Sequence, residues 1–249
     1  MAALAVTGCG GGGSESSGPT FPGVASTGPG PLATAAGGTR FQTIGNEHAL
    51  VITAPDKTVK RVGGLGAQAG RMNYPAGVAV MGSVAYVVER GNHRVQAFDA
   101  QGNSVGFIGQ GQLLYPGAIA AGKTDLFVAD SRNARIVSYS TSGAQTRVLG
   151  AGVLSAPLGM AVQEDGVIVA DPGLRKVLKI GFDDKLVGEF ATGLVLPWAV
   201  ATDGTYLYVA DVSRNELSVG TLDGRKVDVI PLSKAPANVS FVNGQLLVT

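Results

Sequence analysis

A pattern of prolines and acidic residues recurs along most of this chain of 249 residues. The prolines stand 39 to 41 residues apart, at Pro75, Pro116, Pro157, Pro197 and Pro236. An acidic residue follows each of the first four at the same interval, at Glu89, Asp130, Asp171 and Asp211. A near-constant period of this length predicts a repeat architecture in which each unit is one small supersecondary element.

The repeat unit is made of short runs rich in Val, Ile, Leu, Tyr and Phe. In the unit that begins at Tyr115, these runs cover residues 118–121, 126–129, 135–139 and 146–149. Gly, Asn, Asp and Ser separate the runs, which is typical of strands joined by tight turns. An apolar period of 3.6 residues never persists for ten residues, so we expect few helices or none.

Four strands in about 40 residues, repeated along the chain, predict an all-β fold, a β-propeller with four-stranded blades. Small residues such as Ala76 and Gly117 follow the prolines and suit the crowded innermost strand of a blade. Larger residues such as Phe98, Phe127 and Tyr139 can fill the space between neighbouring blades.

The strand count predicts five blades, four of them complete units and the fifth a hybrid. Only two strands fit after Pro236, whereas residues 51–66 align with the last two strands of the second unit. We therefore expect the hairpin 49–66 to complete the blade formed by 236–249, since closure removes exposed edge strands. Residues 41–44 would then be a surplus strand. The alternative is a six-bladed or incomplete six-bladed ring.

The repeated motif resembles the NHL repeat. It reads Pro-x-Gly-[VI]-Ala-Val, then Leu-[YF]-Val-Ala-Asp-x-x-Asn-x-Arg-[VI], then Phe-Asp-x-x-Gly, and residues 75–80 and 86–102 follow it. The resemblance covers about residues 49–249 and implies an NHL-type propeller domain over 40–249. It also implies an acid–base pair in each unit. These pairs are Glu89 with Arg94, Asp130 with Arg135, and Asp171 with Lys176, whereas Asp211 faces Glu216.

The first 39 residues have a different composition, dominated by Gly, Ala, Pro, Ser and Thr, with Glu15 as the only charge before Gly38. Such a segment cannot form a core, so we expect residues 10–39 to be a disordered tether. Residues 6–9, Val-Thr-Gly-Cys, resemble the bacterial lipobox, which implies lipidation of Cys9. Residues 1–9 would be a truncated lipoprotein signal, because no basic residue precedes the cysteine.

The lipobox implies an extracytoplasmic lipoprotein of the cell envelope, facing the periplasm or the cell surface. Its contact with the membrane would be through the lipid anchor only. The alternative is a glycine-rich tail in which Cys9 occurs by chance. The net charge is +1 and charged residues make up 15% of the chain, so we expect no nucleic-acid partner.

The sequence offers no catalytic site that we can name. Propeller lyases that resemble this fold use histidines near the start of the innermost strands. The corresponding positions here hold Ala76, Gly117, Leu158, Trp198 and Ala237. Only two histidines are present, His48 and His93, and they cannot by themselves form a three-ligand zinc site. We therefore expect that the protein is not an enzyme and needs no cofactor or metal.

The alternative is a propeller-type lyase or lactonase with a metal in the central channel, where the four repeat acids could hold a hard cation. We favour a structural interpretation, in which these acids bond the backbone of turns and pair with the basic residue of their own unit.

An arginine lies in the turn after each repeat acid, at Arg90, Arg132, Arg175 and Arg214. We expect these turns to share one face of the ring with Trp198. Because Arg and Trp are favoured in binding hot spots, this face is a candidate site for a protein or carbohydrate partner. The alternative is that the arginines are solvated and Trp198 packs in the channel. The expected protein is a monomeric binding scaffold.

Overall fold

The computed structural model describes residues 24–26, 30–190, 193–242 and 244–249. Its regular structure is β-strands with three one-turn 3-10 helices, Gly45–Glu47, Ser131–Asn133 and Val212–Arg214. Among the described residues, no helix has the length and apolar character needed to cross a membrane. The prediction of an all-β propeller is confirmed.

The described strands begin with β1 (Val24–Ser26). Blade I contains β2 (Leu32–Thr34), β3 (Arg40–Ile44), β4 (Ala49–Thr53) and β5 (Val59–Gly63). Blade II contains β6 (Pro75–Met81), β7 (Val84–Glu89), β8 (Arg94–Phe98) and β9 (Ser104–Ile108). Blade III contains β10 (Ile119–Ala121), β11 (Asp125–Asp130), β12 (Arg135–Ser140) and β13 (Gln145–Leu149).

Blade IV contains β14 (Gly159–Val162), β15 (Gly166–Asp171), β16 (Lys176–Gly181) and β17 (Leu186–Phe190). Blade V contains β18 (Pro197–Thr202), β19 (Tyr206–Asp211), β20 (Glu216–Thr221) and β21 (Lys226–Pro231). The chain ends with β22 (Val239–Val242) and β23 (Gln245–Val248). In each blade the strands pair in sequence order and antiparallel, so five four-stranded blades are present, as the strand count predicts.

The remaining strands form a sixth, three-stranded sheet in the order β22, β23, β1. β1 runs parallel to β23, with Val24 opposite Leu246 and Ser26 opposite Val248. An N-terminal strand therefore does join the C-terminal strands, but it is one strand from residues 24–26. This sheet is the incomplete sixth member that the alternative interpretation allows.

The expectation that the hairpin 49–66 closes the ring is wrong. β4 pairs with β3, with Phe41 opposite Ile52, and β5 pairs with β4, so the hairpin belongs to a complete blade of its own. The strand β3 is consequently not surplus. Its burial supplies the reason, because Phe41 is fully buried and packs in the core shared by blades I and II.

The expectation of a tether over residues 10–39 is wrong for β1 and β2. β2 pairs with β3, with Ala33 opposite Phe41, and Ala33 packs against the core of blades I and II. Composition averaged over thirty residues hid β2, a three-residue strand whose Ala33 lies opposite the buried Phe41 of β3. Residues 1–9, with Cys9, lie outside the described residues.

The cores lie between neighbouring blades, as expected for a propeller. Phe98 packs between blades I and II, Tyr139 between blades II and III, and Phe127 between blades III and IV. Because blades II to V pack against a neighbour on both faces, the loops at the two ends of the ring are left to form the accessible surfaces.

Candidate functional site

The two ends of the ring differ in the loops that they carry. We call the end where the innermost strands begin the entry face. It carries the turn between the second and third strands of each blade, such as 131–134, and the segment that precedes each innermost strand, such as 112–118. We call the other end the hairpin face. It carries the turn between the first and second strands of each blade, such as 122–124, and the turn between the third and fourth strands, such as 141–144.

The four repeat acids lie on the entry side, at the end of the second strand, and their side chains are fully buried. Each carboxylate accepts a backbone N–H from the segment just before the repeat proline of its own blade. The donors are Asn73 to Glu89 (3.3 Å), Leu114 to Asp130 (2.7 Å), Ser155 to Asp171 (2.7 Å) and Val195 to Asp211 (2.8 Å). The acids therefore fix the path by which the chain enters each blade.

None of these four acids lines the central channel, so they do not form a ring around it. Among the described residues, no group of three or more His, Cys, Asp or Glu side chains is placed to hold a metal ion. The structural interpretation of the acids is the one that their geometry supports.

The predicted acid–base pairs hold in two units. Arg94 Nε donates to Glu89 at 2.9 Å, and Arg135 Nε donates to Asp130 at 2.8 Å. Arg94 also lies 3.9 Å above the Phe107 ring, so its guanidinium is enclosed on two sides.

The predicted pair of Asp171 with Lys176 is wrong. The two residues are opposite in strand register, but the Lys176 ammonium donates to Glu189 at 2.8 Å. Asp171 instead accepts three backbone N–H groups, from Ser155, Ala156 and Leu174, so its oxygens are occupied without a cation. In blade V, Asp211 likewise accepts amides from Val195 and Leu196, and Glu216 lies 3.5 Å from Arg214.

The two histidines connect blades on the entry face. His48 and His93 both have left-handed backbone conformations, with φ of 53° and 55°. His48 Nδ1 accepts the N–H of Tyr74, and His93 Nδ1 accepts the N–H of Tyr115, each at 3.0 Å. Each histidine belongs to the turn of one blade and each tyrosine to the segment that enters the next. The histidines thus hold blades I, II and III together rather than meeting at one site.

The arginines predicted to share a face do lie on the entry face, but in different settings. Arg132 is exposed and stacks 4.7 Å above the ring of Tyr115. Arg214 pairs with Glu216, and Arg175 is exposed with a left-handed φ of 56°. Arg90 is half-buried at the central channel. Their positions within the turn differ from blade to blade, so they do not form a repeated site.

The central channel contains a cavity of about 310 Å³ that is lined mainly by the innermost strands. Small residues dominate the lining, as expected for the crowded centre of a ring. Trp198 and Arg90 both contribute to it, and Arg90 is the one charged residue in the described lining. Burial lowers the pKa of the Arg90 guanidinium, although the neighbouring Tyr74 and Tyr115 act in the opposite direction.

Exposed apolar side chains on the entry face are the feature that sequence reasoning missed. Tyr74 is 47% exposed and Tyr115 is 42% exposed, both directly before a repeat proline. Other members of this set are Leu65, Leu114, Val153, Leu174 and Val195. The signal was available, because bulky residues recur in the segments that precede the prolines, where a loop would normally be polar.

No protein-family model matches the chain, and no curated protein matches it. Solved structures do match. A protein of a nidogen/laminin complex has a TM-score of 0.74 and 16% identity, with 86% of this chain and 85% of that chain covered. Catalytically inactive virginiamycin B lyase from Staphylococcus aureus, with quinupristin, has a TM-score of 0.68 and 17% identity, covering 84% and 72%.

Hydrazine synthase from Kuenenia stuttgartiensis also matches, with a TM-score of 0.58 and 14% identity over 94% of both chains. These proteins differ in what they do and share little sequence with this chain. The likeness therefore shows the β-propeller fold alone, and function must be argued from the site.

Proposed function

We propose that this chain is a binding scaffold of the NHL type that docks an acidic protein partner on its entry face. The observation that carries the proposal is the unequal distribution of exposed apolar side chains. Among the described residues, large exposed hydrophobics occur on the entry face and on the outermost strands, and none lies in a turn of the hairpin face. Concentrated exposed apolar surface is characteristic of interaction sites.

Charge favours the same face. Its cations outside the described ion pairs are Arg71, Arg132, Arg175 and Lys234, in addition to Arg90 at the channel. Its carboxylates are either buried against backbone amides or held in ion pairs, such as those of Glu47 with Arg61 and Glu189 with Lys176. The hairpin face carries acids in most of its turns, such as Asp99, Asp184 and Asp203. Hairpin-face cations such as Lys123, Lys185 and Arg225 pair with acids of the same face, so we expect an acidic partner to be more complementary to the entry face than to the hairpin face.

The entry-face residues that we expect to contact the partner are held in place by hydrogen bonds and ring contacts. The Tyr115 backbone is held by His93, the neighbouring Leu114 by Asp130, and the Tyr115 ring supports the Arg132 guanidinium. Aromatic and arginine side chains held in this way are typical binding hot spots, because little side-chain entropy is lost when a partner docks.

The proposal is tested with fluorescently labelled polyglutamate as a probe of acidic polypeptide, measured by anisotropy at low salt. The double variant Arg132→Gln with Arg175→Gln should weaken binding at least about threefold, since two exposed charge contacts are lost. The matched control is Lys185→Gln with Arg225→Gln, which removes the same charge from the hairpin face, where both side chains are 79% exposed.

An equal effect of the two double variants would show that binding follows net charge rather than the entry face. A single-stranded RNA of matched charge supplies the second arm. Tighter binding of this RNA than of polyglutamate would overturn the choice of an acidic protein as partner.

We further propose that Cys9 carries a lipid and holds the propeller outside the cytoplasm. The support is the sequence alone, since Val-Thr-Gly-Cys at residues 6–9 is followed by a Gly- and Ser-rich stretch. Mass spectrometry of the N-terminal peptide from native membranes should detect a diacylglyceryl group on Cys9. Unmodified Cys9 in the soluble fraction would contradict this part of the proposal.

We propose a binding role in preference to the lyase or lactonase alternative. The repeat acids, which that alternative needs at the channel, are turned toward backbone amides instead. Metal analysis of the purified protein separates the two functions. Stoichiometric, tightly held calcium or zinc would favour the enzyme.

A further inference from the structure

We infer that the central channel binds a small organic anion, with its carboxylate or phosphate group at Arg90 and its apolar part against the innermost strands. This site is separate from the proposed docking surface on the entry face, and its ligand is a small molecule rather than a protein.

The charged group at the channel favours an anionic ligand. Arg90 has no ion-pair partner among the described residues, and no acid contributes to the described part of the lining. Its sequence neighbour Glu89 is already occupied by Arg94, Gln96 and the Asn73 amide. A half-buried guanidinium without a carboxylate partner favours an oxyanion, with which it can form two parallel hydrogen bonds.

The shape of the channel suits a small ligand. Its volume of about 310 Å³ lies at the lower end of the range of about 300–1,000 Å³ for small-molecule pockets. Apolar residues such as Leu158, Met160 and Val200 are among those that line it. The innermost strands are also the ends of their sheets, so their inner edges present peptide N–H and C=O groups to the channel.

Arg90 and Trp198, the two largest residues of the channel lining with a polar group at the end of the side chain, lie on different sides of the channel. Arg90 belongs to blade II and Trp198 to blade V, which are three positions apart in a ring of five blades and one three-stranded sheet. A ligand held by Arg90 therefore extends across the channel toward the indole. Trp198 is the only tryptophan of the chain, so fluorescence excited selectively at tryptophan, beyond the tyrosine absorption, reports on this site.

The test is a fluorescence titration with benzoate, phenyl phosphate and the neutral analogue benzamide, at constant ionic strength. Benzoate or phenyl phosphate should give a saturable change, and the tighter of the two identifies the head group. Benzamide should bind at least about tenfold more weakly, because the charge-assisted hydrogen bond to Arg90 is lost. Equal binding of benzamide, or no saturable change with either anion, would overturn the inference.

Substitutions at Arg90 and Arg132 test whether Arg90 holds the anion. Arg90→Gln should weaken binding of the anion at least about tenfold, and Arg90→Lys, which keeps the charge, should retain part of it. Arg132→Gln should leave anion binding unchanged while it weakens binding of polyglutamate. Because the two probes respond to different arginines, failure of the channel site and failure of the docking surface give different results. Unchanged anion binding by a folded Arg90→Gln protein would refute the assignment.

Discussion

Single side chains organise the entry face by accepting backbone N–H groups. Acids at strand ends are expected to bond the backbone of the following turn, and Asp171 does so through the Leu174 N–H. The other amides that they bind come from the segment ahead of the proline, and this could not be predicted because it depends on how that segment folds back. The pairing of Lys176 with Glu189 rather than with Asp171 could not be predicted either, since both acids are within reach of the flexible lysine side chain.

Asp171→Asn should destabilise the protein by about 2–3 kcal/mol. The substitution keeps the volume but replaces one of the two acceptor oxygens with an NH2 group. That group faces one or two of the backbone N–H donors, which leaves buried polar groups unsatisfied. For a domain of this size the midpoint of thermal unfolding should fall by about 5–10 °C, measured by circular dichroism. Asp183→Asn, which alters an exposed pair with Lys185, is the control and should change stability by less than about 1 kcal/mol.

Blades are the elements of this fold, and the repeat identified four of them correctly. Blade I was missed because Ile44 occupies the position of the repeat acid. A signal was nevertheless present, since Pro29-Gly30 matches Pro116-Gly117. In the structure Pro31 takes the place of Ala118, because Thr43 N–H donates to the Pro31 carbonyl at 3.1 Å, as Ala129 N–H does to the Ala118 carbonyl at 3.0 Å.

The hydrogen bonds that His48 and His93 accept from the neighbouring blade should contribute to stability. His93→Ala should cost about 1 kcal/mol, because the Tyr115 N–H loses its acceptor while the left-handed backbone is tolerated, as it is at Ala134. His93→Asn should be less damaging, since Asn215 occupies the same position in blade V and asparagine favours this conformation. Urea unfolding measures both. Equal stability of wild type and His93→Ala would show that this hydrogen bond does not contribute.

The whole ring depends on how its ends meet. A three-residue strand that runs parallel to its partner lies below what sequence patterns can reveal, so β1 could not be predicted. The principle that closure removes an exposed edge was nevertheless sound, because β1 covers the edge of β23.

Removal of residues 1–28 should lower the unfolding temperature and promote association that depends on protein concentration. The physical reason is that the β23 edge, residues 245–248, would then be open to pairing with another chain. Removal of residues 1–22 keeps β1 and is the matched control. Light scattering and thermal unfolding should separate the two truncations, and identical behaviour would show that β1 does not close the ring.

The central claim is that the entry face, and not the hairpin face, docks an acidic protein. Photo-crosslinking in native membranes tests it most directly, with the reactive side chain placed at Leu174 on the entry face or at Lys123 on the hairpin face. We predict adducts with acidic proteins from position 174 that disappear when Arg132→Gln and Arg175→Gln are combined with it. Adducts from position 123, or adducts from position 174 that survive the loss of both arginines, would contradict the claim.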